Sequence, residues 1–212
     1  MKRIIVFGAT GASGKEVVKQ ALASGHTVTA IARNPAAFTL QHPNLMISKG
    51  DVMQQETFEK EIAGKGAVIS CLGTGTSLKP TTLYSAGIEN IISAMNKGGV
   101  NRLICISAGA LETNKEMGFF ICAFLKLVLQ KILKNPYADM RLMEKLVEKS
   151  NLDWTIIRPA RLTNKPPEKK YRIALHSHIR KPWSIARADL ANFMLGAIEN
   201  NETIKAKVEI AY

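Results

Sequence analysis

Three glycines at three-residue intervals, Gly8, Gly11 and Gly14, directly follow the apolar run Ile4-Ile5-Val6-Phe7 and open a helical pattern. Glycine at such spacing is needed where a strand turns sharply into a helix and an anion must reach the N–H groups of the first helical turn. Any Cβ on the close-approach positions would block it. The stretch Gly8-Ala9-Thr10-Gly11-Ala12-Ser13-Gly14 therefore reads as the diphosphate cradle of a dinucleotide-binding fold. A nucleoside-triphosphate loop is excluded by the residues themselves. It would place glycine where Ala9 stands and Ser or Thr where Glu16 stands.

The rest of the chain agrees with that start. Apolar runs alternate with helical patterns almost from end to end of the 212 residues. Strands are expected at 3–7, 27–32, 45–49, 67–70, 102–107 and 154–158, with a weaker one at 205–210. Several are continuous Val, Ile and Ala runs, as required when both faces of a sheet are covered. Helical spacing marks 15–24, where Val17, Val18, Ala21 and Leu22 share a face and Gly25 follows as a stop. It recurs at 82–97, 118–134, 138–150 and 189–199. The expected fold is α/β: a Rossmann-type, doubly wound, mostly parallel sheet with helices on both faces, formed by residues 1–212 as a single unit. One irregular insertion, rich in Pro and Lys, is expected at 163–170.

Which dinucleotide such a cradle holds depends on the end of the second strand. A binder of NAD places an acid there for the ribose 2′-hydroxyl. No Asp or Glu occurs between Glu16 and Asp51, and Arg33 stands in that position. A guanidinium suits the 2′-phosphate of NADP(H), the alternative being an arginine that only faces solvent. Asp51, in Gly50-Asp51-Val52, ends the third strand. It can meet the adenine amino group or simply form a turn. The small residues of Leu72-Gly73-Thr74, after the fourth strand, let the backbone pass close to a cofactor ribose.

Charge and rarer residues narrow the function classes. The formal net charge is +12, from 29 Lys and Arg against 17 Asp and Glu. The basic residues are dispersed and accompany no nucleic-acid motif, so nucleic acid is not an expected partner. The charge reads first as a solvated surface, and second as a field favouring phosphorylated ligands. The three cysteines, Cys71, Cys105 and Cys122, lie in apolar runs without C-x-x-C spacing, which implies reduced thiols and a cytoplasmic setting. No leader pattern precedes the first strand. The apolar stretch 117–133 carries Lys126 and Lys131, so it is expected to be a core or pocket-wall helix and not a membrane span. His176 and His178 alternate on a possible strand, but two histidines with no neighbouring acid or cysteine make no metal site.

Six segments occur in an order that resembles the atypical short-chain dehydrogenases. They are Phe7-Gly8-Ala9-Thr10-Gly11, Gly50-Asp51-Val52, Leu72-Gly73-Thr74, Pro80-Thr81-Thr82, Ile106-Ser107-Ala108 and Trp154-Thr155-Ile156-Ile157-Arg158-Pro159. Within that group the chain is similar to the NmrA-like NAD(P)-binding proteins, and most of all to their flavin and biliverdin reductase branch. The resemblance implies that Ser107, after the fifth strand, lies beside the nicotinamide as the candidate catalytic residue, and that Pro159-Ala160 passes the ring. Dehydrogenases with full acid–base catalysis carry Tyr-x-x-x-Lys. The nearest spelling here, Tyr137 with Arg141, replaces the compact ammonium with a guanidinium. The expected function is an NADPH-dependent reductase that passes hydride to a planar conjugated acceptor, such as a flavin, quinone or biliverdin-like tetrapyrrole. The second reading is an NmrA-like regulator that senses NADP(H) without turnover.

Overall fold

Ile4 and Val6 alternate with Ile5 and Phe7, and all four side chains of this one strand are buried. A strand that is apolar on both faces must lie inside a sheet covered on both sides, and the computed structural model has that architecture. It describes residues 1–112, 127–128 and 130–212. The strands are β1 (Arg3–Phe7), β2 (Thr27–Ala32), β3 (Leu45–Lys49), β4 (Ala67–Ser70), β5 (Arg102–Ile106), β6 (Asp153–Pro159), β7 (Arg161–Thr163), β8 (Arg172–Leu175), β9 (Ser184–Ala186) and β10 (Ala206–Ala211). Eight of them form one sheet in the order β3-β2-β1-β4-β5-β6-β10-β8, parallel except for β8, while β7 and β9 pair separately. The main helices are α1 (Ala12–Ala23), α2 (Glu59–Ile62), α3 (Leu83–Gly98), α4 (Lys134–Lys149) and α5 (Arg187–Gly196).

The two faces of the sheet carry two cores. Ile4, Val6, Val28 and Ile69 pack with Val17 and Ala21 of α1 and with Leu190 and Met194 of α5. Ile5, Phe7, Val68 and Ile156 pack with Ile88 and Ile91 of α3 and with Met143 and Val147 of α4. Alternate residues of β1 thus serve opposite layers, so a one-residue register slip would exchange the two cores. From β1 the chain winds outward to β3, then crosses back to β4 on the other side of β1. The crossover opens a crevice at the carboxyl ends of β1 and β4, where ligands of such sheets bind.

The seven expected strands all form, within a residue or two at their ends. Other elements depart from expectation: α1 and α5 begin three and two residues early, and α2 is a single unexpected turn. α4 starts at Lys134 and not at 138, because Pro136 falls in its first turn, where the missing N–H is not needed. β7, β8 and β9 are unannounced, being only three or four residues long. His176 lies just past β8 with φ of 53°, so the two histidines do not share a strand. Residues 164–171 are irregular as expected, and most of the helix expected at 118–134 lies outside the described residues.

α3 has no cap from its own N-cap residue, Thr82. Asp139, one turn into α4, supplies it instead. Its carboxylate accepts from the backbone N–H groups of Tyr84 at 2.8 Å and Ser85 at 3.3 Å, and from the Ser85 hydroxyl. Asp139 is buried, so removing it strands these donors away from water. Asp139→Ala should lower stability by about 2 kcal/mol, measured as an earlier urea midpoint at unchanged slope. An unaltered midpoint would show that α3 is capped by other means.

Candidate functional site

A single cleft of about 1070 Å³ lies over the carboxyl ends of β1, β2, β4, β5 and β6. That is slightly above the roughly 300–1,000 Å³ usual for ligand clefts. At its centre is the glycine turn, whose three glycines have different tasks. Gly8 has φ of 70°, a left-handed conformation, and a Cβ on it would overlap the Cys71 carbonyl oxygen at the end of β4. A Cβ on Gly14 would overlap the Gly8 carbonyl oxygen and stand 2.8 Å from the Ala9 Cα. These two let the turn fold onto its neighbours. Gly11 meets only the Gly8 carbonyl oxygen, at 3.2 Å, and it borders the cleft.

α1 begins with nothing to satisfy its first N–H groups. Gly11 is the N-cap and offers no side chain, and no acid lies in the first turn. The first intrahelical bond runs from Lys15 N–H to the Gly11 carbonyl at 2.9 Å. The N–H groups of Ala12, Ser13 and Gly14 therefore have no acceptor among the described residues. Unpaired donors at the positive end of a helix dipole form an anion site.

To one side of this turn, past β2, Arg33 is exposed on the cleft wall with no hydrogen bond or ion pair to any described residue. Asp51 and Val52 line the same end. Asp51 uses Oδ1 to accept from Met53 N–H at 3.0 Å, an Asx turn, so one role foreseen for it is in place while its other oxygen stays free of described partners. On the other side lie Leu72, Gly73 and Thr74. The Thr74 N–H donates to the Tyr84 hydroxyl at 3.2 Å, which holds that loop against α3. Of the residues proposed from sequence, Gly8, Thr10, Gly11, Ala12, Ser13, Arg33, Asp51, Val52, Leu72, Gly73, Thr74, Ser107, Pro159 and Ala160 all border the cleft. Gly14 does not; it is buried behind the turn.

The far end holds an arrangement that sequence reasoning missed. The Ser107 hydroxyl donates to Glu144 Oε1 at 2.6 Å. Arg158 donates from Nε to the same oxygen at 3.0 Å and from Nη2 to Oε2 at 2.6 Å. It also reaches the half-exposed Glu112 at 2.7 and 2.9 Å. Ser107, Glu144 and Arg158 are all buried. Burial alone would lower the Arg158 pKa, but its hydrogen bonds and charge pairing with Glu144 and Glu112 prevail and raise it above the ordinary value. One signal was available: Glu144 shares a helical face with Met140, Met143 and Val147, and a carboxylate on such a face needs a partner.

Tyr137 is buried on the cleft wall, and burial raises its pKa although Arg141 acts in the other direction. The Arg141 guanidinium donates to the Leu111 carbonyl at 2.9 Å. Among the described residues no hydrogen bond joins Arg141 to Tyr137. Among the described residues there is no cluster of His, Cys, Asp and Glu suited to a metal ion, and His178 pairs with Glu209 at 2.7 Å. No described helix is long and apolar enough to cross a membrane.

Sheet order, crossover and glycine turn together define a Rossmann-type dinucleotide-binding protein. Residues 8–201 match the NAD(P)H-binding family, and the chain belongs to it. Its cofactor is accordingly a nicotinamide dinucleotide, NADP(H) or NAD(H). Among its relatives are an uncharacterised chloroplast protein of Arabidopsis thaliana, 29% identical over 177 residues, and the photosystem II assembly factor Ycf39 of Synechocystis, 28% identical over 164 residues. The aligned parts are 78% and 74% of this chain but only 61% and 44% of those longer proteins. The fold is shared with the oxidoreductase ylbE of Lactococcus lactis, at a TM-score of 0.80 and 24% identity over 99% of this chain and 90% of that one. It is shared equally with a short-chain dehydrogenase/reductase of Veillonella parvula in complex with NADP, at a TM-score of 0.80 and 16% identity over 100% and 95%. None of these four is described as a flavin or biliverdin reductase, so what is shown is the broad family, by the match of residues 8–201, and not that branch of it.

The division of labour among the glycines can be tested directly. Gly11→Val should abolish dinucleotide binding in calorimetry while leaving the melting temperature within a few degrees of wild type. Gly14→Val should instead prevent stable folding, because its side chain has only backbone to displace. The opposite pattern would overturn the assignment.

Proposed function

We propose that the chain is an NADPH-dependent reductase acting on a planar conjugated acceptor, with residues 1–212 serving as one NAD(P)-binding unit. The supporting observation is the shape of the cleft beyond Ser107. The lining there includes Leu133, Tyr137, Met140, Leu162 and Trp183, apolar and aromatic side chains of the kind on which a flavin, quinone or tetrapyrrole stacks. The cytoplasm is the proposed setting, since Cys71 and Cys105 are free and buried thiols, the former pushed up to about 12 by burial.

NADPH supplies the hydride when bound, and the chain's residues bind and orient. The unpaired N–H groups of Ala12 and Ser13 would hold the diphosphate, with Gly11 leaving room for it. Arg33 would pair with the 2′-phosphate and Asp51 would meet the adenine. Leu72, Gly73, Thr74, Pro159 and Ala160 would shape the path of the nicotinamide half. Ser107 would stand at the reacting end. Its only proton is committed to Glu144, so it would accept a hydrogen bond there and would not protonate the acceptor. That proton would come from water, which suits acceptors whose reduced forms need no strong protein acid. Tyr137, kept neutral by burial, can add a donor at the same end.

The same committed proton, together with the missing Tyr-x-x-x-Lys couple, favours one other reading: a regulator that binds NADP(H) without turnover. NADPH oxidation followed by absorbance, with FMN and menadione as acceptors, separates the two. Acceptor-dependent oxidation supports the reductase; binding without oxidation by any acceptor supports the sensor.

Cofactor choice gives a sharper test. A charge-assisted contact of about 1.5–3 kcal/mol corresponds to roughly 10- to 150-fold in affinity. Wild type should bind NADPH tighter than NADH by a factor in that range, and Arg33→Ala should close most of the gap by weakening NADPH alone. Equal affinities in the wild type would defeat the NADP assignment. A gap that survives Arg33→Ala would move the phosphate site elsewhere.

A further inference from the structure

Glu144 is buried beneath the cleft, with both carboxylate oxygens facing donors. Oε1 accepts from Ser107 Oγ and Arg158 Nε, and Oε2 accepts from Arg158 Nη2, with Lys207 Nζ 3.9 Å away. Among the described residues the partners of those oxygens are the Ser107 hydroxyl and two cationic groups, Arg158 and Lys207, and toward each of them the carboxylate is the accepting side. Glu144 is thus an acceptor only. A serine hydroxyl has one proton and two lone pairs, and here the proton is spent on Glu144. Toward a ligand in the cleft that Ser107 borders, its hydroxyl then has lone pairs alone to offer, backed by the Glu144 carboxylate.

The placement of Ser107 makes this consequential. Arg33 and Asp51 border the cleft on the β2–β3 side of the glycine turn, whereas Ser107 follows β5 on the opposite side. A dinucleotide with its diphosphate at α1 and its adenosine toward Arg33 must lay its nicotinamide half over β4 and β5. We propose that Glu144 is a positioning and specificity-determining residue. By fixing the Ser107 hydroxyl as an acceptor, it selects a carboxamide N–H on the pyridine ring and rejects a carboxylate in the same place. This rests on the cofactor orientation proposed above and adds a chemical selection at its reacting end. The selection works by an unpaired or repelled group, which discriminates far better than a missing contact.

The test is binding, independent of turnover. Three probes are titrated calorimetrically: NADP⁺, its nicotinic acid analogue with a carboxylate for the carboxamide, and 2′-phospho-ADP-ribose, which lacks the pyridine. Wild type should bind NADP⁺ about 10- to 100-fold tighter than the acid analogue. In Glu144→Gln an NH₂ in the place of Oε1 donates to Ser107 and frees the hydroxyl proton to face the cleft; the amide oxygen keeps the bond from Arg158 Nη2, while the bond from Nε is lost. The preference should then fall to about threefold or less, through tighter binding of the acid analogue, with 2′-phospho-ADP-ribose unchanged. Ser107→Ala leaves the Glu144–Arg158 pair in place and should also reduce the preference; it decides the matter if Glu144→Gln does not fold. A preference unchanged in both variants overturns the proposal. So does a parallel loss for all three probes in Glu144→Gln, which would mark a merely structural residue, and so does a wild type without preference. Failure of wild type to bind 2′-phospho-ADP-ribose would overturn the cofactor placement as well, and so distinguishes that failure from this one.

Discussion

The turn after β1 is pressed against backbone on two sides at once, and the cleft depends on that pressure. On one side it touches the end of β4 at the Cys71 carbonyl, and on the other the start of α1 folds back onto the Gly8 carbonyl. Neither contact tolerates a Cβ, so Gly8 and Gly14 set how near the first helix comes to the crossover. The closeness brings the open end of α1 to the one place where the sheet divides. An anion site and a crevice then coincide without further machinery. The cores on either face of β1 hold the arrangement rigid, since Ile4 and Val6 anchor α1 and α5 while Ile5 and Phe7 anchor the layer of α3.

The Ser107 end of the cleft is built by different physics. Burying Glu144 and Arg158 costs solvation that a close ion pair only partly offsets, so such a pair is weak evidence for stability. The orientation it imposes is better evidence for a purpose. Arg158 ends β6 and Glu144 rides on α4, so the pair ties helix to sheet beside Ser107. Asp139, on the same helix, ties it to the start of α3. α4 is thereby fixed by two carboxylates aimed in different directions, and Tyr137 and Met140, which wall the cleft, inherit that fixity.

Much of this could be read from residue order, and what could not has a physical reason. Long apolar strands announce themselves because burial on both faces forces continuous Val and Ile runs. The glycine turn announces itself because only glycine meets its geometry. Arg33 was found by the absence of any acid before Asp51, an argument that needs no structure. By contrast, β7 and β9 are three residues each, too short for a periodic signal, and they pair with each other beside the main sheet, tied to its β10 side by Ala160 N–H to the Ile210 carbonyl and Tyr212 N–H to the Ser184 carbonyl. α4 starts four residues before the expected 138, since Pro136 in a first turn is no obstacle to a helix. The Ser107–Glu144–Arg158 link joins residues 37 and 14 positions apart. Local pattern could flag Glu144 as a carboxylate on an apolar face, but only the fold could say that Ser107 lies within reach.

With the cofactor placed as proposed, the two ends of the cleft would recognise it in opposite ways. Arg33 is exposed and free of described partners, so its contribution would be an attraction, diluted by water and salt and adding to affinity for whatever carries a phosphate. Ser107 is buried with its one proton committed, so its contribution would be mainly exclusion: adding little to the binding of a correct group and heavily penalising a wrong one. An attractive site far from the chemistry can hold the cofactor firmly without tuning the reaction. A rejecting site beside the chemistry can insist on one orientation of the ring without holding the cofactor so tightly that it cannot leave. For a chain that must release oxidised cofactor in every cycle, or report the ratio of two cofactor forms, that separation is the useful one. It places the tolerance for change at Arg33 and the intolerance at Ser107 and Glu144.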